Sequence, residues 1–329
     1  MLRFQSVAED LPGPEWRSLY DDHWPAYRHW FLSEGIAERP TYALGLAKLR
    51  RYMPELLPTY EALCDLAGGG DLAARFLSLY RPPAYLTGCS QAVWLGARPM
   101  LVRNYDYSPA LCEGLLLLSR WNGRAVLASV DCVWGALDGI NEAGLAVSLT
   151  FGGRKVVGDG FGIPIVLRYI LEFCDSAAQA GEVLQRVPVH MAYNVTALDR
   201  DGRFMTAFVA PDRATRVHQL PIAANHQGSI EWYKYARATA TLERERFLYF
   251  RLREPGMTAE RFVSCFLRPP LYTTAYKRGF GTLYTAIYRP DRCAVRYLWP
   301  DGDWCQSIAD FREGVRHQRF DVAPEATAL

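Results

Sequence analysis

The chain reads as an α+β protein in which antiparallel sheets are covered by layers of helix. Three observations predict this. Residues 1–80 carry the spacing of apolar side chains expected of helices. From Cys89 onward the apolar segments are short and separated by turn signals such as Asn122-Gly123 and Asp138-Gly139. Finally, strand segments come first, grouped helices follow, and strands return near the end, the order of sheets with helices packed on them.

In the leader, residues 42–67 set Leu44, Leu46, Leu49, Leu56, Leu57, Leu63 and Leu66 on one broad helical face. Pro54 and Pro58 are expected to kink or split it. Gly68-Gly69-Gly70 stops the helix, and Asp71 can cap another over residues 72–80. Arg81-Pro82-Pro83 is a stiff extended linker that leads to Gly88-Cys89.

Strands are predicted at residues 92–95, 100–105, 115–120, 125–129 and 145–151. Helices follow at 163–174 and 177–186, the second capped by Asp175 or Ser176. Strands resume at 193–198 and 204–209 across the Asp199-Arg200-Asp201-Gly202 turn. A long amphipathic helix is expected over 230–252, then strands at 283–288 and 295–299. Residues 322–329 read as a frayed tail.

With 329 residues the chain can bury a substantial core. A net charge of +2 marks neither a nucleic-acid surface nor a surface for acidic partners. No apolar stretch is long enough to span a membrane. Met1 to Pro12 has no apolar core of a secretory signal, so a reduced, cytoplasmic setting is expected. The eight cysteines form no CxxC pair and no zinc-finger spacing, and no cofactor is implied. Apart from Cys89 they read as small buried hydrophobes.

Chemistry concentrates at Gly88-Cys89-Ser90 and at Arg103-Asn104-Tyr105-Asp106. Charges inside an apolar strand pattern cost free energy unless paired or used. Cys89 offers a thiol nucleophile that needs activation. One route is a histidine base, with His190, His218 and His226 as candidates. The other is self-cleavage after Gly88, which frees the Cys89 α-amino group, whose ordinary pKa of about 7.7–8.0 suits a base at neutral pH. Gly88 favours this route by tolerating a strained backbone. Arg103 and Asp106, three apart in a strand, fall on opposite faces unless a bulge intervenes, so they need not pair with each other.

The segment from Asp138 to Leu145 reads as a tight, mainly structural turn into the next strand. That strand ends at Ser148-Leu149-Thr150-Phe151-Gly152-Gly153, whose backbone amides can face a reacting carbonyl. Asn225, in Ala224-Asn225-His226-Gln227, can supply a neutral oxyanion donor. Asn194 is a weaker pocket candidate. Thr241 and Arg244 share one helical face.

Taken in order, these motifs resemble the acyl-coenzyme A:6-aminopenicillanic acid acyltransferase-like family, the C45 peptidases among N-terminal nucleophile hydrolases. The resemblance runs over nearly the whole chain. It implies a four-layer αββα sandwich, a helical pro-region over 1–88, a catalytic domain over 89–329, and self-cleavage between Gly88 and Cys89. Carried over by position, Cys89 is the nucleophile and its amine the base. Arg103 and Asp106 support them, Asn225 and the backbone N–H near Thr150 form the oxyanion hole, and Arg244 supports the site. Relatives often have serine where Thr241 stands and asparagine where Thr150 stands. The implied substrate is a small acyl amide or acyl thioester, acyl-CoA among them, with no nucleic-acid or membrane partner. Two alternatives stay open: a Cys–His hydrolase without cleavage, and a non-catalytic binding protein on the same fold.

Overall fold

The computed structural model describes residues 1–320, so the expected tail over 322–329 lies outside the described residues. The leader holds β1 (Leu2–Glu9), α1 (Pro14–Phe31), α2 (Tyr42–Tyr52), α3 (Leu57–Leu66) and α4 (Asp71–Leu77). The body opens with six strands: β2 (Gly88–Trp94), β3 (Met100–Tyr107), β4 (Leu115–Ser119), β5 (Val126–Asp131), β6 (Gly135–Asn141) and β7 (Ala146–Phe151). Helices α5 (Ile163–Phe173) and α6 (Ala177–Arg186) follow, then β8 (Tyr193–Leu198), β9 (Phe204–Ala210), β10 (Arg213–His218) and β11 (Ile222–Ala223). Next come α7 (Tyr233–Ala238), α8 (Thr241–Arg253) and α9 (Ala259–Cys265). The last strands are β12 (Thr274–Ala275), β13 (Phe280–Arg289), β14 (Ala294–Trp299), β15 (Gly302–Ser307) and β16 (Gly314–Gln318).

Nine strands form one sheet in the order β10-β9-β8-β7-β6-β5-β4-β1-β16, and the other runs β11-β2-β3-β13-β14-β15 with β12 beside β13. Neighbours are antiparallel except β1 and β4. The two sheets face each other through Cys89, Leu101 and Tyr105 on one side and Leu116, Leu127 and Ile140 on the other. Helix α5 covers β6 and α6 covers β9. On the far side, Leu248 of α8 and Phe262 of α9 pack with Ala92 and Val102 of the second sheet. This is the expected αββα sandwich. The leader helices bury Leu49, Leu56 and Leu63 in the same cluster as Ile163 and Ile170 of α5.

The leader is mainly helical, split at Pro54 by a 3-10 turn over Pro54–Leu56 as expected. Its first eight-residue element departs from that reading. β1 sits within the large sheet, parallel to β4 and antiparallel to β16. Its period-two burial of Leu2 and Phe4 is a strand signature that the helical run downstream obscures. Asp71 begins α4 rather than capping it, since Gly70 holds the cap position.

Three further expectations are corrected. Asp138-Gly139 is not a turn but lies inside β6, and the chain reverses instead around Gly144 at φ +83°. Gly139 serves packing there, because a Cβ would meet the Leu171 Cδ1 of α5 at 2.8 Å. The long helix over 230–252 is two helices, broken where Ala240 takes a left-handed φ of +49°. The cysteines are all free, yet apart from Cys89 only Cys132 and Cys174 are buried, and Cys305 is exposed.

Candidate active site

Cys89 is the second residue of β2 and faces Tyr105 across the ladder to β3. Strand alternation sorts the neighbours by face. Cys89, Arg103 and Tyr105 look into the space between the sheets, whereas Gly88, Ser90, Asn104 and Asp106 look toward the α8–α9 layer. Arg103 and Asp106 therefore point apart, as their spacing predicts, and each has its own partner.

On the inner face, Arg103 Nη2 donates to the Cys89 Sγ at 3.3 Å. Its Nη1 donates to the Leu137 carbonyl at 3.0 Å and pairs with Asp138. Asp138 also accepts from the hydroxyls of Tyr284, at 2.9 Å, and Tyr288. A guanidinium buried this deeply needs such a set of acceptors to hold its charge. Burial pushes the Cys89 thiol up, and the Arg103 charge opposes that shift. The net direction is upward.

On the outer face, Gly88 lies opposite Asp106. Gly88, expected from sequence to tolerate a strained backbone, lies in ordinary strand, outside the left-handed region. Glycine fits here because a Cβ would sit 3.2 Å from both Asp106 Cβ and Phe280 Cδ1. Asp106 accepts from Arg244 Nη1 at 2.5 Å and from Thr282 Oγ1 at 2.6 Å. Arg244 Nη1 also lies 3.3 Å from Ser90 Oγ. Just before the junction, the Tyr235 hydroxyl donates to the Thr87 carbonyl.

Asn225 reaches Cys89 from the strand end after β11. Its Oδ1 accepts from the Cys89 backbone N–H at 3.2 Å, and its Nδ2 donates to the Phe151 carbonyl at 3.1 Å. The segment carrying it is strapped on several sides. Asn194 Nδ2 reaches the carbonyls of Ala224 at 2.8 Å and His226 at 3.0 Å, and Thr150 Oγ1 donates to Ala224 O at 2.7 Å. Thr241 Oγ1, at the start of α8, accepts from the Asn225 N–H at 2.7 Å. Gly153, at φ +69°, lets the chain pass so close that a Cβ would lie 2.2 Å from the Asn225 carbonyl oxygen. The side chains of Asn194 and Thr150 thus position Asn225.

None of the three candidate histidines hydrogen-bonds Cys89. His226 Nδ1 meets Thr241 Oγ1 at 3.0 Å and its Nε2 faces Glu245 at 3.3 Å. His190 is fully buried and burial lowers it to about 4. His218 lies on β10 against Phe208. The sequence reading missed Asp138, Tyr235 and Thr282. Asp138 had a usable signal, an acid between Leu137 and Ile140 in an apolar run. Tyr235 and Thr282 had none, since their partners are fixed only by the folded chain. Among the described residues no cluster of three or more His, Cys, Asp or Glu side chains could hold a metal, and no helix is long and apolar enough to cross a membrane.

The model of the acyl-coenzyme A:6-aminopenicillanic acid acyl-transferase family matches residues 94–304, well over half of the chain. The chain belongs to this family. The family is described by an acyl-transferase, and this chain is an enzyme. The matched region contains Arg103, Asp106, Thr150, Asn194, Asn225 and Arg244 and begins just after Cys89. Among solved structures, penicillin V acylase from Agrobacterium tumefaciens is 13% identical with a TM-score of 0.46, over 67% of this chain and 86% of that one. The N-acylethanolamine-hydrolyzing acid amidase ortholog of Caenorhabditis elegans is 15% identical with a TM-score of 0.47, over 62% and 93%. A conjugated bile acid hydrolase from Clostridium perfringens is 9% identical with a TM-score of 0.45, over 73% and 100%. No curated protein matches the chain in sequence.

Proposed function

We propose that this family member is a cysteine amidohydrolase or acyltransferase that cuts itself between Gly88 and Cys89 and then works through an acyl-Cys89 intermediate. One observation carries the reading. A single residue has its thiol held by Arg103 at 3.3 Å and its backbone nitrogen held by Asn225 at 3.2 Å.

In the first reaction, Cys89 Sγ adds to the Gly88 carbonyl carbon. The Gly88–Cys89 C–N bond breaks and the nitrogen takes up a proton, leaving a thioester between the two residues. Water hydrolyses that thioester, which frees a Gly88 carboxylate, the thiol and the Cys89 α-amino group. In turnover the new amine, with an ordinary pKa of about 7.7–8.0, takes the thiol proton. The thiolate then attacks a linear amide or acyl thioester, acyl-CoA among the candidates, and water or an amine resolves the acyl-enzyme.

Arg103 stabilises the thiolate, and Asp138 keeps that guanidinium in place. Asp106, held by Arg244, orients the new amine. Asn225 Nδ2 and the backbone N–H near Thr150 receive the oxyanion. Residues 1–88 are the pro-region in this reading, and a cytoplasmic setting suits eight free cysteines.

The test is intact mass with N-terminal mapping of the purified protein. Scaling 37.2 kDa by 88/329 puts the fragments at roughly 10 and 27 kDa if Cys89 is the activated nucleophile. Cys89→Ala is expected to stay full length. Because β1 is bonded on both sides within the large sheet, the two fragments are expected to elute together in gel filtration without denaturant. An active wild type that stays uncut removes the N-terminal-amine mechanism.

A further inference from the structure

A cavity of about 170 Å³ lies between the leader and β3. Leader residues Tyr27, Trp30 and Tyr85 form part of its wall, and Tyr105 and Tyr107 of β3 form another part. Two carboxylates, Glu113 and Asp131, share it, and no lysine or arginine is among its lining residues.

The carboxylates are only partly satisfied. Glu113 Oε1 accepts from Tyr27 and from the Val133 N–H at 3.0 Å. Its Oε2 is shut off from solvent with no hydrogen-bond partner. Asp131 Oδ1 lies 3.2 Å from the same Tyr27 hydroxyl. The Arg103 guanidinium, whose charge Asp131 feels, is already committed to Asp138 and Cys89. Burial pushes both carboxyls up, and with the Glu113 charge nearby Asp131 reaches about 7. No lysine or arginine lines the cavity beside the pair, and burial disfavours the charged form of His23, which also lines it.

We propose that this cavity binds an organic ammonium group, and that it selects amide or thioester substrates carrying one. Half-buried carboxylates lose part of their hydration, and an N–H donor on a cation makes the strong kind of hydrogen bond to them. Aromatic faces attract cations, and five rings line the walls. A cavity near this size accepts a benzene-sized guest. Tyr105 joins the cavity to the nucleophile, since it lines the first and faces Cys89 across the ladder. That link through Tyr105 is what ties an ammonium seated here to the substrate of Cys89. The substrate half of this inference rests on the Cys89 reading above, whereas the binding half does not.

The experiment uses the full chain with Cys89→Ala, which cannot react. Benzylammonium chloride and benzyl alcohol are titrated by calorimetry at pH 8. Benzylammonium is expected to bind at least ten-fold more tightly, and the double variant Glu113→Gln/Asp131→Asn is expected to erase that preference. Equal affinities in the parent, or a preference that survives the double variant, overturn the site. If the double variant does not fold, Tyr107→Leu decides. It keeps both acids and is expected to weaken benzylammonium several-fold, and unchanged affinity overturns the site.

With wild type, kcat/KM is then compared for acyl amides with a free terminal amine and with the same amine acetylated. A preference for the free amine supports the substrate half, and equal rates overturn it. If neither is turned over while benzylammonium still binds, the Cys89 reading and the substrate half fall and the binding site stands.

Discussion

Arg103 and Asp138 form an ion pair sealed between the two sheets, with both side chains fully buried. The pair joins β3 to β6, and its guanidinium also touches the Cys89 sulfur. One contact therefore serves both the packing of the sheets and the charge beside the Cys89 sulfur.

Removing the acid strands a buried cation, and breaking such a pair typically costs about 3–5 kcal/mol. Asp138→Ala is expected to lose that much in urea unfolding and to slow self-cleavage as Arg103 shifts. Asp310→Ala, which breaks an exposed pair with Arg312, is the control and is expected to change little. Equal effects in the two variants refute the role given to Asp138.

Tyr235 holds the Thr87 carbonyl, one residue before the proposed Gly88–Cys89 cleavage bond. Tyr235→Phe keeps the ring against Phe151 and Phe280 and removes only the hydroxyl. The precursor is expected to mature several-fold more slowly, as read on a gel over time. Once cut, the variant is expected to turn over substrate nearly normally, because Thr87 is no longer part of the reacting chain. A cleavage time course that matches wild type counts against this role.

Asn225→Ala is expected to lower turnover about a hundred- to a thousand-fold, the usual effect of losing one oxyanion donor, with KM little changed. His226→Ala is expected to be mild, since that ring contacts Thr241 and Glu245. Paired kinetics decide the matter. A dead His226 variant beside a healthy Asn225 variant moves the mechanism to a Cys–His hydrolase.

His190 is fully buried, and burial holds it near 4 against an ordinary value of 6.5. Between those values the unfolded chain binds the extra proton, so this residue takes stability away as pH falls from about 6.5 toward 4. The full effect is on the order of 3 kcal/mol. Asp131, pushed up to about 7, titrates in the same window with the opposite sign, since the folded chain holds its proton longer. His190→Leu removes one of the two opposing groups. Its urea stability is expected to fall less on acidification than that of wild type, and an identical pH profile contradicts the assignment.

Much of the site was legible locally. Period-two alternation alone put Arg103 and Asp106 on opposite faces of one strand, because it depends on nothing beyond backbone geometry. The Gly88-Cys89 junction, Asn225 and the shared helical face of Thr241 and Arg244 also stand out as residue types in order.

Sequence by itself thus determined the class of fold, the nucleophile candidate and the face on which each polar residue stands. Tertiary structure decided the partners. Asp138 became the counter-ion of Arg103 because β3 and β6 come to lie face to face, a fact with no local signature. The Asp138-Gly139 turn signal gave way because Gly139 admits the close packing of α5 on β6. β1 became a strand inside the large sheet because β4 and β16, far away in sequence, offer it hydrogen-bonding edges on both sides. Local patterns encode period and face at short range, whereas pairing depends on which elements meet when the hydrophobic layers close, and only the folded chain sets that.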